Sequence, residues 1–226
     1  MAENNLKGAP QDWYSNGYRN CYYSGILGYV YSLVHKLMEQ PFKPSMNFEV
    51  VLEVGAGNGE HLPYVKHNFK KYFMTDIRLE NLPKTNVDSR VVFVAADSCA
   101  LLEFHDNSVD RLIATCLLVH VNEPLNALVE WNRLVKPGGT LTIYLATEPG
   151  ILLTVIRRLF IWPKNKRKGA MNPKLLVYSE HRNHYPGMIT YIEEVFKSSR
   201  IVKKRFPTKF IGWNFSIFEI VHIYKM

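Results

Sequence analysis

A glycine-rich segment with one acidic residue is the part of this sequence whose residue types point most directly to ligand chemistry. Residues 53–59 read EVGAGNG, and they end a predicted strand over 48–57 that is continuously apolar, as buried parallel strands are. Glycines at a strand end let the chain turn sharply and let a ligand approach the backbone, because no Cβ atom stands in its way. The segment therefore predicts a ligand-binding turn.

The spacing of these glycines distinguishes between two classes of ligand. Dinucleotide-binding turns follow G-x-G-x-x-G/A, with a small third residue and a pyrophosphate at the helix N-terminus. Here the spacing is G-x-G-x-G, Glu60 takes the sixth position, and Glu53 stands two residues before the first glycine. A carboxylate at that place would repel a pyrophosphate, whereas it suits a cationic amino-acid group.

Acidic residues also end the next two predicted strands. Asp76 closes the second strand, 21 residues after Gly55, where an acid can bind ribose hydroxyls. Asp97 closes the third strand in AADS and could accept a hydrogen bond from an adenine amine. Because the carboxyl ends of parallel strands meet at one edge of a sheet, we expect these side chains to face the same ligand.

These motifs resemble the class I S-adenosylmethionine-dependent methyltransferases, in particular their small-molecule "methyltransferase domain" group. The resemblance covers about residues 48–147 and includes VKPGG (135–139) before the fifth strand. It implies S-adenosylmethionine as cofactor and methyl transfer as the activity. It assigns the methionine part to Glu53, Gly55 and Gly57, the ribose to Asp76, and the adenine to Ile77, Asp97 and Ser98, with Ala56, Cys116 and Leu117 in the same site.

The elements that must position these residues alternate between strand and helix. Strands are predicted over 48–57, 71–76, 91–97, 111–116, 140–146, 200–206 and 213–224, and helices over 23–40, 59–69, 123–135 and 188–196. This order predicts an α/β fold: a Rossmann-like, seven-stranded, mostly parallel sheet with helices on both faces and an antiparallel last strand at the sheet edge.

We expect residues 1–226 to form a single domain. Within it we distinguish an N-terminal lid-like extension (1–47), a cofactor-binding core (48–147), a basic substrate-side insertion (148–187) and a C-terminal helix with strands (188–226). The extension carries Trp13, Tyr14, Tyr18, Tyr22 and Tyr23, whose rings could cover the cofactor and a small or amphipathic acceptor, or simply hold the extension to the body.

The residues after the fourth strand bear on the methyl acceptor. Enzymes that methylate nucleobase amines typically carry an Asn/Asp-Pro-Pro-Tyr-like motif there, and those that methylate C5 of pyrimidines in RNA often carry Pro-Cys. Here the segment is CLLVH (116–120), which argues against a nucleic-acid substrate and for a small molecule, lipid-like or carrier-bound. No group of His, Asp and Glu has ligand spacing, so no metal is expected.

His120 is the candidate general base of this sequence. A neutral imidazole at this edge could accept a proton from a hydroxyl or ammonium acceptor, although packing under the cofactor is an alternative role. His181 and His184, in the predicted loop SEHRNHYPG, are further candidates, unless they are merely solvated.

The positive charge of the chain is concentrated in one segment. The formal net charge is +8, and residues 151–210 contain 14 Lys or Arg against three acidic residues. Within it, apolar residues precede cations: Leu152, Leu153, Val155, Ile156, Leu159, Phe160, Ile161 and Trp162, then Lys164, Lys166, Arg167 and Lys168. This composition suits an anionic membrane surface or an anionic soluble acceptor, and equally a core-facing helix with a solvated loop.

Two other functions are compatible with the same features. An RNA methyltransferase would use the basic segment 151–210 as its phosphate contact, and a non-catalytic binding protein would keep the cofactor fold without turnover.

Three widely spaced cysteines and a polar first 20 residues favour a cytoplasmic protein, in peripheral contact with a membrane if the basic segment binds one.

Overall fold

A single seven-stranded sheet organises the described residues of this computed structural model, which are 25–77, 88–97, 102–163, 173–207 and 210–226. Its strands are β1 Asn47–Val54, β2 Asn68–Asp76, β3 Val91–Ala95, β4 Val109–Ala114, β5 Val135–Ala146, β6 Arg200–Phe206 and β7 Phe218–Tyr224. They lie in the order β3-β2-β1-β4-β5-β7-β6. Strands β1 to β5 run parallel, and β7 is antiparallel to both β5 and β6.

The predicted seven-stranded, mostly parallel sheet with an antiparallel last strand is confirmed, but that strand does not lie at the edge. β7 pairs with β5 on one side and β6 on the other, so β6 is the edge strand. The side chains of β7 are almost all buried, whereas β6 (RIVKKRF) carries four cations and is only partly covered. An apolar strand requires neighbours on both sides, and lysines are characteristic of an exposed edge.

Helices cover both faces of the sheet, as predicted. They are α1 Gly25–Glu39, α2 Pro124–Leu134, α3 Ile151–Ile156 with a π-helical continuation Arg157–Ile161, α4 Pro173–Glu180 and α5 Tyr185–Val195. Trp131 of α2 and Met188 of α5 are fully buried in the core of one face, and Met38 of α1 is fully buried on the other.

The helix predicted over 59–69 is wrong. A single 3₁₀ turn, Leu62–Tyr64, occupies this segment, and β2 already begins at Asn68. Asn68 and Phe69 pair with Asn47 and Phe48 of β1, so their backbone groups are committed to the sheet. The apolar spacing of Leu62, Val65 and Phe69 reflects packing of a turn and a strand start against the α1 side of the core rather than a helical face.

Candidate functional site

The glycine turn after β1 depends on backbone angles that favour glycine. Gly55, Gly57 and Gly59 have φ values of +64°, +54° and +76°. A Cβ atom on Gly55 would lie 2.6 Å from Cδ1 of Leu117, whereas one on Gly57 would meet only Glu60 Oε2, at 3.4 Å, within 4 Å. Gly55 therefore allows the close approach of Leu117, and the backbone at Gly57 is left open to a ligand.

The amide groups of this turn are taken by carboxylates. The N–H of Gly57 donates to Asp76 Oδ2 at 2.9 Å, and the N–H of Asn58 donates to Glu60 Oε2 at 3.0 Å. A phosphate-binding turn presents such N–H groups to its anion. Here the N–H groups of Gly57 and Asn58 are occupied by two acidic side chains, which place negative charge beside the turn.

Glu53 lies beneath the turn and is buried. Its side chain is 1% exposed, and its Oε2 accepts a hydrogen bond of 2.8 Å from the hydroxyl of Tyr72. Burial raises the pKa of Glu53 to about 7, although His61 and the Tyr72 hydrogen bond lower it. This carboxyl can therefore change its protonation state close to neutral pH.

The other residues predicted for the cofactor follow the carboxyl ends of neighbouring strands. Asp76 ends β2, and its Cα pairs in register with Ala95, the last residue of β3. Ile77 is 68% exposed, Asp97 is exposed beyond β3, and Ala56 is buried with its N–H donating to Thr75 at 2.9 Å. Ser98 lies outside the described residues. The topology thus brings the described members to one edge of the sheet.

The segment after β4 packs over the glycine turn through Leu117, whose neighbour Cys116 has a positive φ of +54°. Burial, and then Glu148, raise the pKa of the Cys116 thiol to about 12. Because the thiolate is the reactive form of cysteine, this thiol is not an activated nucleophile. Cys116 and Leu117 therefore offer apolar surface next to the turn.

His120, the predicted base, is held by the chain that follows α4. Its Nδ1 donates to the carbonyl of Glu180 at 3.0 Å, and burial, with His181 as a second cause, lowers its pKa to about 4. The backbone N–H of Arg182 donates to Val119, and the side chain of Asn183 donates to Leu118, both at 2.9 Å. These bonds fix the segment 180–183 against the segment after β4.

Four side chains converge here into what we call the edge cluster: Glu148, Arg157, His181 and His120. Glu148 follows β5 by two residues, and its Oε1 accepts from His181 Nδ1 at 2.6 Å and also from Arg157. Burial by itself would raise the pKa of Glu148, but His181 and Arg157 lower it to about 2. The imidazoles of His181 and His120 meet edge to face with centroids 4.8 Å apart.

A second group of ionisable side chains, which we call the sealed cluster, lies between α1 and the sheet: Glu39, Arg111, His61, His35 and His67. Arg111 is completely buried and binds Glu39 through two nitrogens. His61 contacts Glu39 at 2.8 Å, and His35 contacts His61 at 2.9 Å. Burial lowers the pKa of His35 to about 3 and that of His67 to about 4.

Sequence reasoning missed the sealed cluster entirely and identified only the histidines of the edge cluster. Glu148 and Arg157 carry no spacing signal, because they come from separate elements that meet only in the fold. Among the residues that the structure describes, no group of three or more His, Cys, Asp or Glu side chains could hold a metal ion.

Comparison with known proteins matches residues 52–143 to a family model described as "Methyltransferase domain". The chain is 31% identical over 137 residues to demethylmenaquinone methyltransferase of Renibacterium salmoninarum, which covers 57% of this chain and 56% of that protein. It is 27% identical over 143 residues to the human mitochondrial protein named arginine-hydroxylase NDUFAF5, covering 62% of this chain and 40% of that protein. It thus spans about half the length of these curated relatives.

Solved structures show the same fold. One chain of the complex between the Haloferax volcanii Trm112 methyltransferase activator and a methyltransferase superposes with a TM-score of 0.63 and 15% identity. The superposition covers 95% of this chain and 97% of that one. At 15% identity this likeness shows the fold alone and does not indicate a substrate.

Proposed function

We propose that this protein, whose residues 52–143 match a family model described as "Methyltransferase domain", transfers a methyl group from S-adenosylmethionine to a small-molecule acceptor. The observation that carries the proposal is the glycine turn, in which Asp76 and Glu60 accept from the N–H groups of Gly57 and Asn58 and Gly57 places no side chain in the way of a ligand. When bound, the cofactor supplies a methyl group on a positively charged sulfur. A turn with this charge complements that cation.

Each side of the site has a proposed role. Glu53, with the backbone of Gly55 and Gly57, binds the methionine part, and Asp76 binds the ribose while also holding Gly57 in place. Ile77, Asp97 and Ser98 surround the adenine, and Ala56, Cys116 and Leu117 line the cofactor. His120 lies beyond them, on the acceptor side of the site.

We propose a lipid-like acceptor rather than a nucleic acid. Two features support it: one relative is named for demethylmenaquinone, and α3 combines a buried with an exposed apolar side. Leu153, Ile161 and Trp162 are buried, whereas Ile151, Val155, Leu159 and Phe160 are 45–67% exposed. The start of α3 contacts the segment around 213–215, where Phe210, Ile211 and Phe215 are also exposed.

This surface is the one that we propose rests on an anionic membrane, which would present the acceptor to the site. Within the described ranges, no helix is long and apolar enough to cross a bilayer. Binding to vesicles should rise with the content of anionic lipid and fall with salt, because exposed charges are screened over about 8–10 Å at physiological ionic strength. Phe160→Glu should weaken sedimentation with vesicles, and Tyr191→Glu, at an exposed position of α5, should not. Equal recovery with neutral and anionic vesicles would contradict the membrane proposal.

The cofactor proposal is tested at Asp76. Asp76→Ala removes an acceptor for the ribose and the partner of the Gly57 N–H, so calorimetry should show S-adenosylmethionine binding weakened by about 1–3 kcal/mol. Asp76→Asn keeps one oxygen for Gly57 and should lose less. Asp88→Ala, at an exposed acid paired with Arg90, is the matched control and should bind normally. Unchanged affinity in a folded Asp76→Ala variant would refute the assignment.

A further inference from the structure

The edge cluster lies beside the place where the proposed acceptor must meet the cofactor. Leu117 lies against Gly55 of the glycine turn, and His120 follows Leu117 by three residues in the same segment. The ring of His120 contacts the ring of His181, which in turn contacts Glu148 just beyond β5. An unbroken series of contacts therefore joins the cofactor turn to these two imidazoles.

The contacts of His181 determine which of its nitrogens carries the proton. A carboxylate oxygen can only accept, so Nδ1 of His181, 2.6 Å from Glu148 Oε1, must carry the hydrogen of that bond. In the neutral ring, Nε2 is then an unprotonated acceptor. No hydrogen-bond partner of Nε2 occurs among the described residues. The side chain of His181 is 13% exposed, so the ring is partly accessible.

We propose that His181, oriented by Glu148, accepts the proton of the methyl acceptor, and that His120 is a positioning residue for His181. This inference rests on the proposed methyl transfer. As the acceptor atom bonds to the methyl carbon, its proton passes to Nε2 of His181, and the electron pair of the broken carbon–sulfur bond goes to the sulfur. The imidazolium is stabilised beside the Glu148 carboxylate and then releases its proton to water.

The surroundings of His120 disfavour it as the base. Its Nδ1–H is committed to the carbonyl of Glu180, and no carboxylate of the described residues pairs with its ring, so an imidazolium there would lack the partner that His181 has. Burial also lowers the pKa of His120 to about 4, which makes it a weak proton acceptor at neutral pH. The charged or titratable groups that face His181 are Glu148, Arg157 through Glu148, and His120.

The first test requires neither cofactor nor turnover. Imidazole nitrogen shifts in ¹⁵N-labelled protein distinguish the two neutral tautomers of histidine. We expect His181 to carry its proton on Nδ1 in the parent protein, and Glu148→Gln to populate the Nε2–H form. A proton on Nε2 of His181 in the parent protein would overturn the proposal.

The second test measures label transfer from S-adenosylmethionine to demethylmenaquinol or, failing that, to the extract fraction that the parent protein labels. His181→Gln should lower turnover by roughly 10²–10⁴-fold, keep cofactor affinity and lose the acidic limb of the pH profile. Glu148→Gln should lower it at least about tenfold, and His120→Gln less than about tenfold. His105→Gln, at an exposed position between β3 and β4, should have no effect.

The two proposals fail in different ways. If the parent protein neither binds S-adenosylmethionine nor labels any fraction, the proposed function itself is refuted. If the parent protein transfers label and His181→Gln keeps its rate, only the role of His181 is refuted. A larger loss in His120→Gln than in His181→Gln would instead assign the proton to His120.

Discussion

The sealed cluster under α1 and the edge cluster beyond β5 each surround a glutamate with an arginine and with histidines. In both, burial disfavours the carboxylate, and the arginine and a histidine reverse that effect, so that the pKa of Glu39 and that of Glu148 are both lowered to about 2. The same residue types thus give the same electrostatic result in two parts of the fold.

The two clusters differ in how far solvent and ligand can reach them. The side chains of Arg111 and His61 are 0% exposed, whereas those of Arg157 and His181 are 15% and 13% exposed. In the sealed cluster His35 donates a hydrogen bond to His61, and His61 donates to Glu39. Arg111 donates both to Glu39 and to His67. His67 in turn donates to the carbonyl of Asn68. That series ends on backbone, while the edge cluster ends on Nε2 of His181, which has no hydrogen-bond partner within the described part of the chain.

This difference shows that residue chemistry alone does not separate structure from function. A buried ion pair between the sheet and a helix fixes their arrangement and has no ligand to act on. The same pair beyond the end of β5 holds the imidazole of His181, for which we propose a role in methyl transfer. Position relative to the sheet edge, rather than composition, assigns the role.

The largest effect that separates the clusters is expected from removing their arginines. Arg111→Met leaves Glu39 buried without its cation and should lower the free energy of unfolding by about 3–5 kcal/mol. Arg157→Met also leaves a buried glutamate, but Arg157 and His181 are themselves partly exposed, so the loss at Glu148 should be smaller, about 1–3 kcal/mol. Urea unfolding of both variants measures the difference.

We expect the effects on function to be the reverse of the effects on stability, so that Arg111→Met affects function less than Arg157→Met does. Arg111→Met, where folded, should retain most of its S-adenosylmethionine affinity, because Arg111 bonds to Glu39 and His67 and neither is predicted to bind the cofactor. The double variant Arg111→Met, Glu39→Gln should recover part of the lost stability, since the uncompensated charge is gone. Equal destabilisation by Arg111→Met and Arg157→Met would mean that the distinction between the clusters is wrong.

Glu53 is a third buried glutamate that can be compared with Glu39 and Glu148. Its hydrogen-bond partner is the neutral Tyr72 rather than a cation, and burial raises its pKa to about 7. Between pH 4.5 and 7 the folded protein keeps a proton that the unfolded chain has lost, so stability falls as pH rises through this range. Glu53→Gln removes this dependence. The free energy of unfolding of Glu53→Gln should exceed that of the parent protein by an amount that grows from near zero at pH 4.5 to roughly 1–3 kcal/mol above pH 7.

Urea unfolding of the parent protein and of Glu53→Gln at pH 5 and pH 8 tests this sign. A difference that does not change with pH would show that Glu53 is ionised in the folded state across the range. Since Glu53 is also proposed to bind the methionine part, the variant should bind S-adenosylmethionine more weakly while being more stable. The carboxyl of Glu53 would then favour cofactor binding while lowering the stability of the fold.

The sequence by itself determined the cofactor turn and the sheet around it. The spacing of Gly55, Gly57 and Gly59 is a local property of the chain, and the left-handed φ values that it favours are those observed. The alternation of strands and helices likewise gave seven strands with an antiparallel last one. Such patterns can be recognised in a sequence because the residues that act together are neighbours in the chain or recur with a fixed period.

Only the tertiary structure decided where the ionisable groups meet. Glu148, Arg157, His181 and His120 come from different elements, and Glu39 reaches Arg111 across 72 residues, so no spacing marks either cluster. The placement of β7 inside the sheet and the loss of the helix at 59–69 have the same origin, since strand pairing outweighed local pattern. Burial and long-range contacts set these outcomes, and both are properties of the folded chain.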